Sequence, residues 1–449
     1  MAGKRTKRQR AIIKRRIFLT CCAVVLIGLI GLIATALHAL NKPSVNQKSS
    51  SSDPSGATSS VVEEIPETTA TVLSTGDIMT HNPQLSGAYN ASTGEYDFSD
   101  FFKATAPYYR AADLAVANLE VTFGGSESGA YSGYPLFNAP DSLADAIKNA
   151  GLNLLVTANN HSYDTGLFGL KRTAQVLKEK QIEFIGTKET PDDPSYLVKE
   201  INNIKIGIAD FTYETDGKTE GRKYLNGMIL AEEANDLVHS FSYSRLDAFY
   251  SEAKTMIESM KADGADYILF YMHWGEEYHT SPNTWQKTIA QQLSNMGVNM
   301  IVGSHPHVVQ PVELITPEGG EGFTVCLYST GNFISNQRQE VMTSCPSGHT
   351  EDGMLFTFTL TKSADGTALT GLDLIPTWVD KYKVGSGYHY TAYPLENPDD
   401  AANQYAFSSA TAARAKKSYE RTKAIVAEGL TACQKAVGCD ITFPSADES

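Results

Sequence analysis

Short apolar runs rich in β-branched residues alternate with stretches of helical periodicity from Thr69 onward. Runs of the first kind predict strands, and apolar residues spaced by three or four positions predict helices. The predicted strands cover residues 69–75, 114–118, 153–158, 204–211, 267–273, 299–303, 323–329, 353–362 and 369–378. The predicted helices cover residues 141–150, 166–180, 244–262, 282–296 and 400–428. Strands and helices alternate in the first half, and strands follow one another in the second. This order predicts an α/β layered sandwich with mixed sheets.

The N-terminal part of the chain has a different pattern. Residues 17–37 form a run of 21 residues without a charge, and as a helix such a run spans the hydrocarbon core of about 30 Å. Basic residues precede this predicted transmembrane anchor, so residues 1–16 are predicted to be cytoplasmic and the rest of the chain extracytoplasmic. A cleaved signal peptide is the alternative, because Ala34-Thr35-Ala36 has the form of a cleavage site. The length of the apolar run favours an uncleaved anchor.

Composition and charge also distinguish the N-terminal part from the rest of the chain. Residues 38–68 are rich in serine and predict a flexible linker. The formal net charge is −14, but the first 16 residues hold eight of the 37 basic residues and no acid. The remainder has 29 basic and 51 acidic residues, a net charge of −22. This excludes a nucleic-acid-binding protein with a broadly basic surface. We predict a single-pass protein of the cell membrane whose C-terminal domain is extracytoplasmic.

Four cysteines follow the predicted anchor: Cys326, Cys345, Cys433 and Cys439. An even number of cysteines outside the cytoplasm permits disulfides, and four allow three pairings. The short loop between Cys433 and Cys439 favours a disulfide between these two. Four free thiols remain the alternative.

Polar motifs stand at or just after the ends of six predicted strands. Their candidate functional residues are Asp77, Glu120, Asn160, His161, Asp164, His273, His305 and His307. Each motif alone has a structural alternative, such as a turn at Gly76-Asp77 or an N-cap at Asp164 for the following helix. Loops from successive strands of an α/β sheet, however, converge at one edge. We therefore expect these side chains to form one site.

The residue types of this site indicate metal chemistry. Two carboxylates, an amide and three imidazoles form a nitrogen and oxygen ligand set that suits Mn²⁺, Zn²⁺ or Fe. Their number fits two divalent ions that share a carboxylate, an arrangement that activates water for attack on a phosphoryl centre. Asp164 follows His161 by three residues and can accept a hydrogen bond from its ring. Asn332, after the strand at 323–329, is expected to shape the floor of the site.

The motifs occur in an order that resembles a known family. Between Thr71 and Ile334 they read Gly-Asp-x-Met, Asn-x-Glu, Asn-Asn-His-x-x-Asp-x-Gly, His-Trp-Gly-x-Glu, Gly-x-His-Pro-His-x-x-Gln and Gly-Asn-Phe. This series resembles the CapA family of bacterial capsule-synthesis proteins associated with poly-γ-glutamate, which are similar to calcineurin-like metallophosphoesterases. The resemblance implies a four-layer α/β/β/α sandwich over residues 69–385, with a C-terminal helical extension at residues 386–449.

The resemblance also implies roles for individual residues. Asp77 would bind the first metal, and Glu120 would stand where these enzymes have a bridging aspartate. Asn160 and His273 would bind the second metal, and His305 and His307 would bind one metal each. His161 would be the general acid, with Asp164 orienting its ring.

Two positions depart from the metallophosphoesterase pattern. Met79 stands where a histidine ligand is expected, and a thioether is a poor ligand for a hard dication. Ser304 separates Gly303 from the first imidazole of the later motif. One of the two metals is therefore expected to be weakly held or absent.

Two functions of different class fit these observations. The first is a membrane-anchored, metal-dependent hydrolase or transferase, of the metallophosphoesterase type, that acts during synthesis or export of an anionic capsule polymer. Its substrate would be the polymer or a phosphate-containing compound. The second is a non-catalytic assembly or anchoring subunit of a polyglutamate synthase complex, in contact with membrane-bound synthase subunits. A cell-surface nucleotidase is a third, weaker alternative.

Overall fold

Two mixed β-sheets make up most of the part of the chain that the structure describes. The structure is a computed structural model and describes residues 67–443 apart from 218, 220 and 386. The predicted cytoplasmic segment and anchor, and the predicted linker as far as residue 66, lie outside the described residues. None of the described helices is long and apolar enough to cross a membrane.

The strands are numbered in chain order. They are β1 (Thr68–Ile78), β2 (Tyr89–Asn90), β3 (Glu95–Tyr96), β4 (Leu114–Leu119), β5 (Leu154–Val156), β6 (Glu183–Ile185), β7 (Leu197–Ile201), β8 (Ile204–Tyr213), β9 (Tyr224–Leu225), β10 (Met228–Ile229), β11 (Ser240–Phe241), β12 (Tyr267–His273), β13 (Met300–Ser304), β14 (Val312–Ile315), β15 (Thr324–Leu327), β16 (Asn332–Ile334), β17 (Asp352–Ser363), β18 (Gly366–Val384) and β19 (Gly387–Pro394).

The α-helices are numbered in the same way. They are α1 (Asn82–Ala88), α2 (Ser99–Phe102), α3 (Ala106–Ala111), α4 (Ser142–Ala150), α5 (Gly166–Glu179), α6 (Leu246–Ala262), α7 (Thr284–Asn295), α8 (Pro398–Gln404) and α9 (Ser409–Val437). Short 3₁₀ helices lie at Ser126–Ser128, Glu232–Ala234, Tyr243–Arg245 and His349–Glu351.

The first sheet has the strand order β19-β18-β17-β1-β4-β5-β6, with β16 also paired to β1. The second has the order β11-β8-β12-β13-β15-β14, with β7 paired to β8. In the first sheet β1 is parallel to β4 and antiparallel to β17. In the second sheet β12 is parallel to both β8 and β13. The predicted mixed α/β fold is confirmed.

Alternation of side chains along the strands divides the core into three parts. On the first sheet, Leu73 packs under helices α2 to α5, whereas its neighbour Val72 faces the second sheet. On the second sheet, Ile208 faces the first sheet, whereas Ala209 faces α6 and α7. Each large aliphatic or aromatic side chain buried in this way contributes about 1.5–3 kcal/mol. The two sheets thus pack face to face, with helices on the outer surface of each.

The C-terminal residues, predicted to form a helical extension, also contain a strand. Strand β19 pairs with the long strand β18 and extends the first sheet. The helix predicted at residues 400–428 is divided into α8 and α9, because Ala406 adopts a left-handed φ of 52° that ends the first helix. Ser408 then caps α9 by accepting a hydrogen bond from the backbone of Thr411. All the described residues belong to one compact unit.

Helix α9 packs along the edge of both sheets. Val426, Leu430 and Cys433 are fully buried in the core between the sheets. A Cβ atom at Gly429 would lie 1.8 Å from the carbonyl oxygen of Val312 on β14, so the helix requires glycine there. Gly429 therefore permits the close approach of α9 to β14.

The predicted disulfide between Cys433 and Cys439 is wrong. All four described cysteines are free thiols. Cys433 faces the core, whereas Gly438, with a left-handed φ of 80°, ends α9 and turns the chain. After this turn the Sγ atom of Cys439 lies near the carbonyl oxygens of Gln434 and Leu372, at 3.8 and 3.9 Å.

Removing the Arg421 side chain is expected to destabilise the attachment of α9. Arg421 donates two hydrogen bonds of 2.6 Å to the carboxylate of Asp352, which is 2% exposed. Arg421→Ala leaves this carboxylate buried and without its cation, a loss of about 3 kcal/mol. Denaturant unfolding of the variant measures it, with Lys417→Ala on the exposed face of α9 as control. Equal midpoints for the two variants would contradict the assignment.

Candidate metal centre

Two carboxylates meet at the carboxyl ends of β1 and β4. A Cβ atom at Gly76 would lie 2.0 Å from the carbonyl oxygen of Gly331, so glycine permits the close strand contact that positions Asp77. Asn118 pairs with Asp77 across the strands and donates to its Oδ1 atom at 2.8 Å. The same amide donates to Oε2 of Glu120 at 3.1 Å. Asn118 thus holds both carboxylates, each fully buried, side by side.

The environment of Glu120 disfavours its charged form. Burial raises the pKa of Glu120 well above its ordinary value, and the charges of Asp77, Glu277 and Asp164 raise it further. Its Oε1 atom has no hydrogen-bond partner among the described residues. A buried carboxylate is stable when a cation or a metal compensates it. The donor set here suits a divalent ion.

The loop after β5 contributes an amide and an imidazole. Asn159 fixes this loop, because its Nδ2 atom donates to the carbonyl oxygen of Leu119 at 2.7 Å and to Oδ1 of Asn118 at 3.1 Å. The neighbouring Asn160 directs its Oδ1 atom to Nε2 of His273 at 2.8 Å. The amide oxygen of Asn160 therefore contacts the ring nitrogen of His273 that also lies 3.6 Å from Oε1 of Glu120.

His161 and Asp164 form a buried pair in the same loop. Nδ1 of His161 lies 2.7 Å from Oδ2 of Asp164, which also accepts from the backbone of Phe137 at 2.7 Å. Burial raises the pKa of Asp164, although hydrogen bonding to His161 opposes the shift. The suggested N-cap role of Asp164 is wrong, because Thr165 occupies that position before α5. The carboxylate of Asp164 orients His161 instead.

Three imidazoles enter the site from the second sheet. His273 ends β12, and its Nδ1 atom lies 2.9 Å from Oγ of Ser304. Ser304, which interrupts the sequence motif, therefore contacts the His273 ring. His305 and His307 follow β13 with positive φ angles of 95° and 55°. Such strain in residues other than glycine costs about 1–3 kcal/mol and is concentrated at functional sites.

The imidazoles differ in their electrostatic environment. Burial lowers the pKa of His273 and His305 well below the ordinary value, and neighbouring imidazoles lower it further. Both rings are thus neutral at pH 7 and have a lone pair for a metal. Burial also opposes protonation of His307, but its hydrogen bond with Asp77 at 3.1 Å, the charges of Asp77 and Glu277 and its contact with Asn332 together raise its pKa. Asn332 holds the same ring through a contact of 3.1 Å with Nδ1.

These side chains form overlapping groups that could hold metal ions. Within each group the potential ligand atoms lie within 4.8 Å of one another. The groups are Asp77 with Glu120 and His307, Glu120 with His273 and His305, and Glu277 with His305 and His307. Glu120 belongs to two groups, as expected of a shared carboxylate.

A cavity of about 290 Å³ opens beside these groups. His161 and His307 line it together with Met79, the residue at the expected histidine position. His81 lines it as well, and burial lowers the pKa of this imidazole to about 4. The cavity therefore brings the His161–Asp164 pair and the candidate metal ligands to one space that a substrate can enter.

Comparison with known proteins identifies the family. The sequence model of the family described as "Bacterial capsule synthesis protein PGA_cap" matches residues 71–337. The chain belongs to this family. The match includes all the candidate residues named above, and the predicted resemblance to the CapA family is confirmed.

Two relatives of this PGA_cap protein have names that refer to PGA or capsule biosynthesis. The chain is 28% identical to "PGA biosynthesis protein CapA" of Bacillus subtilis (strain 168), over 58% of this chain and 62% of the relative. It is 27% identical to "Capsule biosynthesis protein CapA" of Bacillus anthracis, over 68% and 66%. The chain thus spans just under two thirds of the length of these relatives.

Among solved structures, the PGA_cap protein is similar to "Termus thermophilus Sulfate thiohydrolase SoxB in complex with glycerol". The identity is 13%, the TM-score is 0.35, and the match covers 79% of this chain and 60% of that chain. A similarity at this level supports no inference about function.

The PGA_cap structure brings together every residue expected at the site. Asp77, Glu120, His273, His305 and His307 occur in the metal-binding groups, Asn160 contacts one of these ligands, and His161 pairs with Asp164. Asn118 and Glu277 were not among the residues predicted to have a role. Alternation along the strand placed Asn118 on the same face as Glu120, and Glu277 lies in the His-Trp-Gly-x-Glu motif. These two signals could have identified both residues.

Proposed function

We propose that this PGA_cap protein is a metal-dependent, phosphoesterase-like hydrolase that acts in the synthesis or export of a capsule polymer of the poly-γ-glutamate type. The observation that carries the proposal is the pair of metal-binding groups that share Glu120, next to the His161–Asp164 pair. The names of the two relatives support the polymer class. Substrates of the proposed reaction are a phosphate ester, or an acyl-phosphate or amide-linked intermediate.

The donor set fits two divalent ions. Asp77, Glu120 and His307 would hold one, and Glu120, His273 and His305 would hold the other, with Asn160 beside His273. Imidazole and carboxylate ligands suit Mn²⁺, Zn²⁺ or Fe²⁺. Bound ions at such a site lower the pKa of water and stabilise negative charge on a phosphoryl group. The Oε1 atom of Glu120, which accepts no hydrogen bond from the described residues, supports occupancy by a cation.

His161 would donate the proton to the leaving oxygen. Its Nδ1 atom is engaged by Asp164, which leaves Nε2 as the ring nitrogen for a substrate in the cavity. The buried carboxylate of Asp164 stabilises the protonated imidazole and holds its orientation. The His161 ring is also fixed by a perpendicular contact with Phe137, whose centroid lies 4.8 Å away. This arrangement suits general acid catalysis.

The proposed location is the outer face of the cell membrane. Its support is the uncharged run at residues 17–37 and the basic residues before it. The acidic domain would then act outside the cytoplasm, where bound dications offset like-charge repulsion with an anionic polymer. Membrane-bound synthase subunits are proposed partners.

Metal analysis and turnover assays on the full chain test the proposed function. We expect stoichiometric Mn, Zn or Fe in the purified protein and hydrolysis of a phosphodiester or phosphomonoester probe that stops when a chelator removes the metal. A protein that holds no metal, hydrolyses neither ester and still associates with synthase subunits would overturn the hydrolase in favour of the assembly function. A nucleotide panel in the same assay tests the nucleotidase alternative.

A further inference from the structure

The loop after β12 carries an exposed carboxylate beside the candidate metal centre. Trp274 anchors this loop, because its buried indole donates to the carbonyl oxygen of Tyr328 at 3.0 Å. Gly275 then turns the chain with a φ of 92°. Three residues further on, the backbone of Tyr278 donates to the carbonyl oxygen of Pro306 at 2.8 Å. Glu277 is therefore held next to the loop that carries His305 and His307.

The carboxylate of Glu277 lies within reach of imidazoles from both candidate metal positions. One of its oxygens and ring nitrogens of His305 and His307 lie within 4.8 Å of one another. His305 otherwise groups with Glu120 and His273, whereas His307 groups with Glu120 and Asp77. The buried Nδ1 atom of His305 has no hydrogen-bond partner among the described residues. Glu277 thus lies near one histidine from each of the two metal-binding groups that share Glu120.

The protein ligands at this side of the centre are few. Asp77, Glu120 and His307 supply three ligand atoms, and Met79 contributes only a thioether to the same cavity. Mn²⁺ and Zn²⁺ bind at least four ligands, and a thioether is a poor one for them. The described residues that line the cavity include no lysine or arginine. No lysine or arginine of the lining competes with a metal for the Glu277 carboxylate.

We propose that Glu277 is a further metal ligand. It supplies a carboxylate at the exposed side of the centre, where Met79 supplies only a thioether. The inference rests on the proposed function in that it requires metal binding at this site. It extends that function by adding a third carboxylate to Asp77 and Glu120. Unlike those two, Glu277 is exposed, so it is the one carboxylate of the three that solvent reaches freely.

Metal titration of Glu277→Gln tests the inference, and the adjacent exposed Glu276 supplies a matched control. Full-length protein is stripped of metal by chelation and titrated separately with Mn²⁺, Zn²⁺ and, without oxygen, Fe²⁺. We expect Glu277→Gln to bind at least one ion about 10- to 100-fold more weakly than the wild type, which is the effect of losing a group that supports a metal site. Glu276→Gln should bind as the wild type does.

The outcomes separate this inference from the proposed function. A wild type that binds metal while both variants retain its affinity would overturn the role of Glu277 and leave the metal centre intact. A wild type that binds none of the three ions would overturn both. We expect equal midpoints of thermal unfolding for the three metal-free proteins, because Glu276 and Glu277 are both exposed. Equal midpoints would show that the substitutions leave folding unchanged. The electron paramagnetic resonance spectrum of bound Mn²⁺ should change in Glu277→Gln and not in Glu276→Gln.

Discussion

Replacement of His161 by alanine is expected to lower kcat for hydrolysis of a phosphodiester probe by about 100- to 10,000-fold, the usual contribution of a positioned general acid. The His161 ring is 3% exposed, contacts Asp164 at 2.7 Å and lines the cavity. It belongs to none of the metal-binding groups. Metal content should therefore stay at the wild-type level while turnover is lost. Steady-state kinetics and metal analysis on the same sample measure both.

Two further variants sharpen this test. Asp164→Asn keeps the shape of the side chain but removes the charge that stabilises a protonated His161, so we expect a smaller loss than in His161→Ala. His349→Ala removes a half-buried imidazole outside the metal centre and should not change kcat. A His161→Ala protein that retains metal and most of its activity would contradict the role of His161 as general acid.

Replacement of Glu120 by glutamine is expected to weaken metal binding by at least about 100-fold. Glu120 belongs to two of the metal-binding groups, so its loss removes a ligand from both. Substitution of groups that merely support ligands already costs about 10- to 100-fold. Titration of the metal-free protein with Mn²⁺ or Zn²⁺ measures the change. Unchanged affinity for both ions would show that Glu120 is not a ligand.

The same variant should stabilise the metal-free protein at neutral pH. Burial raises the pKa of Glu120 well above 4.5, so the folded state binds a proton that the unfolded state releases. The contribution of Glu120 to the stability of the metal-free wild type therefore falls as pH rises above about 4.5 toward the folded-state pKa. Glu120→Gln removes this loss, so its advantage over the wild type should grow with pH.

Thermal unfolding in excess chelator between about pH 4 and pH 8 measures this difference. Glu258→Gln, on the exposed surface of α6, controls for the loss of a carboxylate without burial. Histidines remote from Glu120 titrate alike in all three proteins, so their effect cancels in the comparison. A Glu120→Gln protein that is less stable than the wild type at pH 7 would mean that the carboxylate is compensated without metal.

Much of the fold follows from local sequence pattern. Each predicted strand overlaps an observed one, because many of these strands are buried on both faces and therefore leave a continuous apolar run in the sequence. Strand β19 was not predicted, since its pairing with β18 is a contact between strands and not a property of its own residues. The break between α8 and α9 depends on a positive φ at Ala406, a conformation that alanine does not signal.

Local motifs alone identified the chemical groups that could form the site. Polar motifs at the ends of parallel strands had to converge, so Asp77, Glu120, His273, His305 and His307 could be named together. Which of their atoms meet depends on the folded arrangement of the strands and loops. The contact of Asn118 with both carboxylates depends on the register of β1 and β4, and the place of Glu277 depends on the turn at Gly275. Such contacts join residues far apart along the chain, and local patterns do not encode those distances.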